Sequence, residues 1–201
     1  SALGLDDNTV VVIWSDHGYK LGDHGGWAKH STVELDIHVP MMIRIPDMKT
    51  SGARTSALVE SVDIYPTLIE LAGIDAPHEL EGASLLPLIK KPQRSWKEAV
   101  FSQFPRYVQK QLLMGETVRR QLLMGETVRT QHYRYTAWVG NDTGETVAQE
   151  LYDHTNDKIE AKNVAKNSEY RVELDRHEQL RKLGWRHIRE RLDELISQDT
   201  I

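Results

Sequence analysis

The chain has 201 residues and a formal net charge of -5, with 30 acidic residues against 25 lysines and arginines. This length can bury a sizeable core, while the acidic balance argues against nucleic acid or another polyanion as a general partner. The absence of cysteine excludes disulfides and thiol chemistry within the chain. No run approaches the roughly 18 to 20 apolar residues that a membrane span needs.

The first predicted element is a strand at 10–14, an uninterrupted apolar run. Such a run predicts a strand buried on both faces, as in a parallel α/β sheet. It stops at Asp16 and His17, which therefore lie at the strand's carboxyl end, where open α/β sheets bind ligands. A carboxylate and an imidazole suit several divalent cations. Two ligands are too few to hold one, so we expect further ligands from elsewhere.

A longer motif surrounds this pair: SDHGYKLGDHGGWAK at 15–29, followed by HVP at 38–40. It resembles the second half of a sulfatase of the alkaline-phosphatase superfamily, and iduronate-2-sulfatase-type enzymes give the nearest likeness. The resemblance implies that Asp16 and His17 are metal ligands, usually for calcium. It also implies that Lys29 is a catalytic residue that binds the sulfate ester. The alternative for Lys29 is structural, with its ammonium paired to a carboxylate of the same loop, Asp23 or Glu34.

The family's nucleophile is a formylglycine made by oxidising the first residue of a Cys/Ser-x-Pro-x-Arg motif. No such motif occurs in this chain, so no nucleophile is assigned here. The resemblance therefore implies a C-terminal fragment whose partner is a missing N-terminal half carrying the formylglycine and the paired aspartates of the metal site. We expect the isolated fragment to be inactive.

The rest of the implied catalytic portion contains a proline-bracketed strand at 39–46 and a helix at 62–73 that Gly73 ends. One face of that helix is expected to pack against the core: Tyr65, Leu68, Ile69 and Ala72. Asp36 and His38, just before the strand, have two equally weighted interpretations. Either they position the loop by local hydrogen bonds, or they support the metal ligands from behind.

Beyond a charged, proline-containing boundary at 90–94, four segments alternate as strands do: 99–104, 127–130, 133–139 and 150–153. Their hairpin-length gaps predict a small antiparallel sheet. Near its start, Arg106 either binds a sulfate or carboxylate in the cleft or is a solvated surface arginine. The tail predicts an amphipathic helix kinked near Gly184, with its leucines and Ile188 on one face.

A nine-residue segment occurs twice, at 111–119 and 121–129, without a single difference. Because strand side chains alternate with period two, a ten-residue offset keeps every residue on the same face. Only one copy can pair with the hairpin partner at Tyr133. We expect 121–130 to be the strand and the first copy to be either looped out or added to the sheet as a ragged extension.

The predicted fold is therefore α/β, the C-terminal portion of an alkaline-phosphatase-like sandwich at 1–92. A small antiparallel sheet at 93–160 and a charged helical tail at 161–201 follow. The implied function is metal-dependent hydrolysis of sulfate esters, on a sulfated carbohydrate or a small sulfate ester, in a periplasmic, extracellular or lysosomal enzyme. Two alternatives stay open: a phosphodiesterase or phosphonate monoester hydrolase of the same superfamily, and a non-catalytic binding module.

Overall fold

A computed structural model describes residues 3–76, 78–110 and 119–198. The chain forms two compact units. The first unit comprises the described residues up to Gly18, His38–Glu98 and those from Trp185 onward, and the second comprises those of Tyr19–Ile37 and Ala99–Gly184. The division predicted from the sequence, at 1–92, 93–160 and 161–201, stays a prediction. Among the described residues, no helix has the length and apolar character needed to cross a membrane.

In the first unit, β1 (Val11–Trp14) pairs antiparallel with β4 (Met41–Arg44). The two predicted strands are confirmed, but parallel pairing and burial on both faces are wrong for this chain. Ile13 and Met42 are paired neighbours and remain 55% and 59% exposed. The physical reason is that a two-stranded ribbon can cover the core with only one face. That face carries Met41 and Ile43, which pack against buried residues of this unit.

The first unit also contains α2 (Ile64–Leu71), α3 (Leu86–Lys90) and the later part of α4 (Arg171–Gln198). Helix α2 follows a 3-10 turn at Ser61–Asp63 and ends before Gly73, whose φ of 66° stops the helix as predicted. The core of the unit draws on these helices and the segments between them: Ala83, Leu85, Leu88, Trp96 and Leu192.

The predicted buried face of α2 is wrong. Tyr65 is 53% exposed, whereas Ile64 and Thr67 are buried. Thr67 explains the difference, because its hydroxyl donates to the Asp63 carbonyl at 2.6 Å and accepts from the Leu85 amide at 2.8 Å. A polar anchor therefore sets which side of the helix faces inward, and apolar spacing does not reveal it.

The second unit is built on a four-stranded antiparallel sheet with strands in chain order. The strands are β5 (Ala99–Lys110), β6 (Arg119–Thr130), β7 (Tyr133–Gly140) and β8 (Thr146–Asp153). This confirms the predicted sheet. The unit also contains the two-residue strands β2 (Lys20–Leu21) and β3 (Trp27–Ala28), which pair with each other, and the single-turn helix α1 (Glu34–Ile37).

One face of this sheet packs against the first part of α4. Tyr135, Ala137, Leu151, Val164 and Leu174 form the buried cluster there. His177 of the helix is buried too and lies 2.9 Å from the Thr130 hydroxyl. The predicted kink is confirmed, since Gly184 interrupts the helix with φ 76° and ψ 179°.

Strand β6 contains the second copy of the repeated segment, in the register Thr127↔Thr136 with β7. The prediction that this copy forms the strand is confirmed. Of the first copy at 111–119, residues 111–118 lie outside the described residues, so whether it is looped out or extends the sheet stays a prediction. Its last residue, Arg119, begins β6 and pairs with Lys110.

Candidate active-site residues

Asp16 and His17 follow β1 in the first unit, and Asp16 is exposed while His17 is half-buried. The Ser15 hydroxyl donates to the His17 carbonyl at 2.7 Å, and His17 Nδ1 lies 2.7 Å from the Gly18 carbonyl. Because a carbonyl oxygen can only accept, Nδ1 carries the hydrogen of this bond. In a neutral imidazole the lone pair is then on Nε2, the nitrogen with which such a ring binds a metal.

This donor set fits part of a divalent-cation site. Asp16 offers carboxylate oxygens and His17 offers one nitrogen, whereas calcium takes six to eight mostly oxygen ligands. By donor chemistry the two residues could supply part of a coordination shell, and their assignment as metal ligands stays a prediction.

Lys29 belongs to the second unit, half-buried, directly after β3. Its loop has an unusual backbone, because three non-glycine residues have positive φ: His24 (53°), Ala28 (68°) and His30 (83°). Such residues are uncommon, and each costs free energy that surrounding contacts must offset. Backbone of this kind concentrates at functional sites, so the strain identifies this loop as a candidate site independently of the motif.

A buried ion pair between Lys20 and Asp36 holds this loop in place. Lys20 Nζ contacts Asp36 and donates to the Ser31 hydroxyl at 3.1 Å, and Lys20 and Asp36 are both buried. A Cβ on Gly26 would lie 2.9 Å from Lys20 Cε, so glycine lets the loop close onto the lysine stem. This geometry favours the loop-positioning interpretation of Asp36. Sequence reasoning missed Lys20, because nothing in a two-residue strand marks a lysine as buried.

A second polar cluster, also missed, brings Glu34, His154 and Glu160 together in the second unit, with ligand atoms within 4.8 Å of one another. Two arginines already bind its carboxylates. Arg134 donates to Glu160 at 2.5 and 2.8 Å, and Arg129 donates to Glu34 at 2.8 and 3.0 Å. The two carboxylates are thus balanced by two guanidinium groups, and a cation would have to displace them. The cluster fits a structural ion network better than a metal site.

The charge state of Glu160 supports this assignment. Burial acts to raise the pKa of this carboxyl group, but hydrogen bonds from His154 and Arg134 outweigh it and hold the pKa at about 2. Glu160 Oε2 also accepts a hydrogen bond at 3.0 Å from the backbone amide of Glu34, which is the first residue of α1. The network therefore ties the helix that follows the Lys29 loop to strand β7 and to the segment after β8.

Comparison with known proteins places these features in a family. The profile for the C-terminal region of N-sulphoglucosamine sulphohydrolase matches residues 22–185. The chain belongs to the sulfatase family and corresponds to its C-terminal region. Arylsulfatase K from Homo sapiens is 34% identical over 163 residues, covering 81% of this chain and 29% of that protein. Iduronate 2-sulfatase from Mus musculus is 28% identical over 231 residues, covering 84% of this chain and 40% of that protein.

Solved structures of related enzymes share the fold of this chain. A protein in complex with its substrate D-glucosamine-2-N,6-O-disulfate has a TM-score of 0.73 at 28% identity, covering 94% of this chain and 36% of that one. Phosphonate monoester hydrolase of Agrobacterium radiobacter has a TM-score of 0.68 at 25% identity, covering 98% and 36%. The chain thus spans well under half the length of these relatives.

Proposed function

We propose that this chain supplies the C-terminal metal- and sulfate-binding residues of a sulfatase that hydrolyses sulfate esters of sugars. The main support for this proposal is the family match over 22–185, which includes Lys29 and begins just beyond the Asp16–His17 pair. The strained loop around Lys29 adds independent support, because a binding lysine needs a fixed backbone.

In this proposal Asp16 and His17 hold a divalent cation, calcium in the first instance. When bound, the cation neutralises nonbridging oxygens of the ester. The Nδ1–H of His17 donates to the Gly18 carbonyl and so keeps Nε2 as the ligating atom. Lys29 stabilises negative charge that develops on the sulfate or leaving oxygen. The formylglycine nucleophile comes from outside these residues, so we expect the chain alone to lack turnover.

Two observations favour a sugar as the carrier of the sulfate. One related structure holds a sulfated glucosamine as its substrate. In addition, Trp27 lies two residues before Lys29 and is 72% exposed. An exposed indole has a flat apolar face with a polar edge, which suits the face of a sugar ring.

The test uses the purified chain and D-glucosamine 6-sulfate, with affinity followed by NMR titration. Lys29→Met keeps most of the apolar stem and removes the charge, so we expect about tenfold weaker binding, the size of a lost charge-assisted hydrogen bond. The melting temperature should barely move. Lys166→Met, at an exposed lysine of the same unit, is the matched control. Unchanged affinity with a large melting shift would instead assign Lys29 to loop stability.

A phosphonate monoester hydrolase is the second candidate, favoured by the structural likeness to the Agrobacterium enzyme. Both ester classes present anionic oxygens, which a lysine and a divalent cation can each bind, so the residue types of this chain suit either class. Turnover of an aryl sulfate and of an aryl phosphonate monoester by the whole protein separates the two. A preference for the phosphonate would overturn the sulfatase proposal.

A further inference from the structure

Arg106 of β5 stacks on Trp138 of β7, with the guanidinium carbon 4.6 Å from the ring centroid. Strand β6 runs between these two strands, so the pair spans two strand spacings, roughly 10 Å. Gly125 of β6 makes this contact feasible. A Cβ there would lie 2.8 Å from the Trp138 ring, so only glycine lets the indole lie flat across β6 toward β5.

The stack is preorganised. Trp138 is buried, and its indole N–H donates to Glu150 Oε1 at 2.8 Å, which fixes the plane of the ring. Arg106 is exposed, so its guanidinium is oriented by the ring while its N–H edge remains accessible to solvent. Within the described ranges, no carboxylate forms an ion pair with Arg106. An oriented, accessible guanidinium fork matches the oxygens of a sulfate or carboxylate.

The position of Arg106 relates it to the Lys29 loop. Phe104 and Arg106 lie on the same face of β5, roughly 7 Å apart along the strand. The Phe104 ring lies 5.7 Å from the ring of His30, the residue that follows Lys29. All of these residues belong to the second unit. His30 and Arg106 therefore lie on the same side of the sheet, and Lys29 precedes His30 directly in the chain.

We infer that Arg106 is a specificity-determining residue that binds a second anionic group of the substrate, a sulfate or a carboxylate, next to the sulfate ester held by Lys29. This inference rests on the proposed function and deepens it. Trp138 and Gly125 are positioning residues, since they act by orienting the guanidinium. Sugars with two anionic groups are then bound more tightly than sugars with one.

The experiment measures the affinity of the purified chain for three sugars by NMR titration: D-glucosamine 6-sulfate, D-glucosamine-2-N,6-O-disulfate and L-iduronate 2-sulfate. Arg106→Gln should weaken binding of at least one doubly anionic sugar about tenfold and leave the monosulfate affinity unchanged. The sugar that loses affinity tells whether a sulfate or a carboxylate is the second group. Gly125→Ala should have the same selective effect, because its Cβ displaces Trp138.

Arg186→Gln is the matched control, because Arg186 is also exposed and stacks on a tryptophan, Trp185, at 4.5 Å, in the first unit. It should leave all three affinities unchanged. Equal affinities of wild type and Arg106→Gln for both doubly anionic sugars would overturn the inference, and so would an equal loss for the monosulfate. Lys29→Met separates this failure from that of the proposed function. A Lys29 effect on all three sugars without an Arg106 effect refutes only the second subsite, whereas no Lys29 effect refutes the proposed function itself.

Discussion

Glu160 is buried, has a left-handed backbone with φ 56°, and still remains ionised to about pH 2. Arg134, fully buried beside it, makes this feasible by donating two hydrogen bonds to the carboxylate. A buried guanidinium that lost this partner would be an uncompensated charge, which is far costlier than the pair is stabilising. Glu160 therefore contributes more to stability than its position in a loop suggests.

We predict that Glu160 makes the chain acid-sensitive. Its folded pKa of about 2 is below the ordinary 4.5, so its contribution is fully present above pH 4.5 and is lost as the pH falls toward 2. That shift corresponds to about 3 kcal/mol. Glu160→Gln should lower the free energy of unfolding at pH 7 by about 3 to 5 kcal/mol and flatten its dependence between pH 5 and 2.

Urea unfolding at several pH values measures both effects. Glu145→Gln, at an exposed glutamate in the turn between β7 and β8, is the control and should behave as wild type. An unfolding free energy of Glu160→Gln equal to that of wild type at pH 7 would contradict the role given to the network.

Asp16 and His17 lead to a prediction about metal. Two ligands leave a calcium ion with most of its waters, so little free energy is gained over the hydrated ion. We expect the chain to bind calcium weakly, with a Kd well above the micromolar range. Submicromolar affinity by calorimetry that vanishes in Asp16→Ala would show that the chain holds a complete site.

At the scale of elements, the sequence predicted the antiparallel sheet and the kinked helix because alternation and glycine act locally. It did not predict which face of α2 is buried, because Thr67 is anchored to Leu85, a residue distant in sequence. Of the candidate site, the motif gave Asp16, His17 and Lys29. Lys20 and the Arg106–Trp138 stack could not be predicted, since each depends on a contact between residues far apart in the chain.

The repeated segment gives a prediction at this scale. Deleting 111–120 joins Lys110 to Gln121, and Val108↔Gln121 is already a pair in the sheet. Gln109 and Lys110 then become a two-residue hairpin loop, although the favoured loops of this length need positive φ. We expect the sheet to persist with a melting temperature lower by only about 3 °C, and an added Gln109→Asn/Lys110→Gly change to restore it.

Near-UV circular dichroism and thermal melting check this outcome, because the packing of Trp138 on Gly125 reports on the register of β6. If the near-UV signal is lost on deletion and the Gln109→Asn/Lys110→Gly change does not restore it, the additional ten residues are required for the sheet.

At the scale of the whole molecule, the chain spans 29% of arylsulfatase K and 40% of iduronate 2-sulfatase. The first unit exposes one side of its two-stranded ribbon, where Val11, Ile13 and Met42 lie together. An unpaired strand edge beside exposed apolar side chains favours association with another copy.

We therefore predict that the purified chain self-associates at micromolar concentration through this ribbon. Ile13→Thr/Met42→Thr removes apolar surface from one paired position and should shift sedimentation-velocity profiles toward monomer. The control is Ile159→Thr/Val172→Thr, which changes residues of the second unit that are 73% and 77% exposed and should leave association intact. If association were non-specific instead, both double variants would shift the sedimentation profile toward monomer to a similar extent. A wild-type chain that is monomeric and melts reversibly at these concentrations would show that the ribbon needs no covering partner.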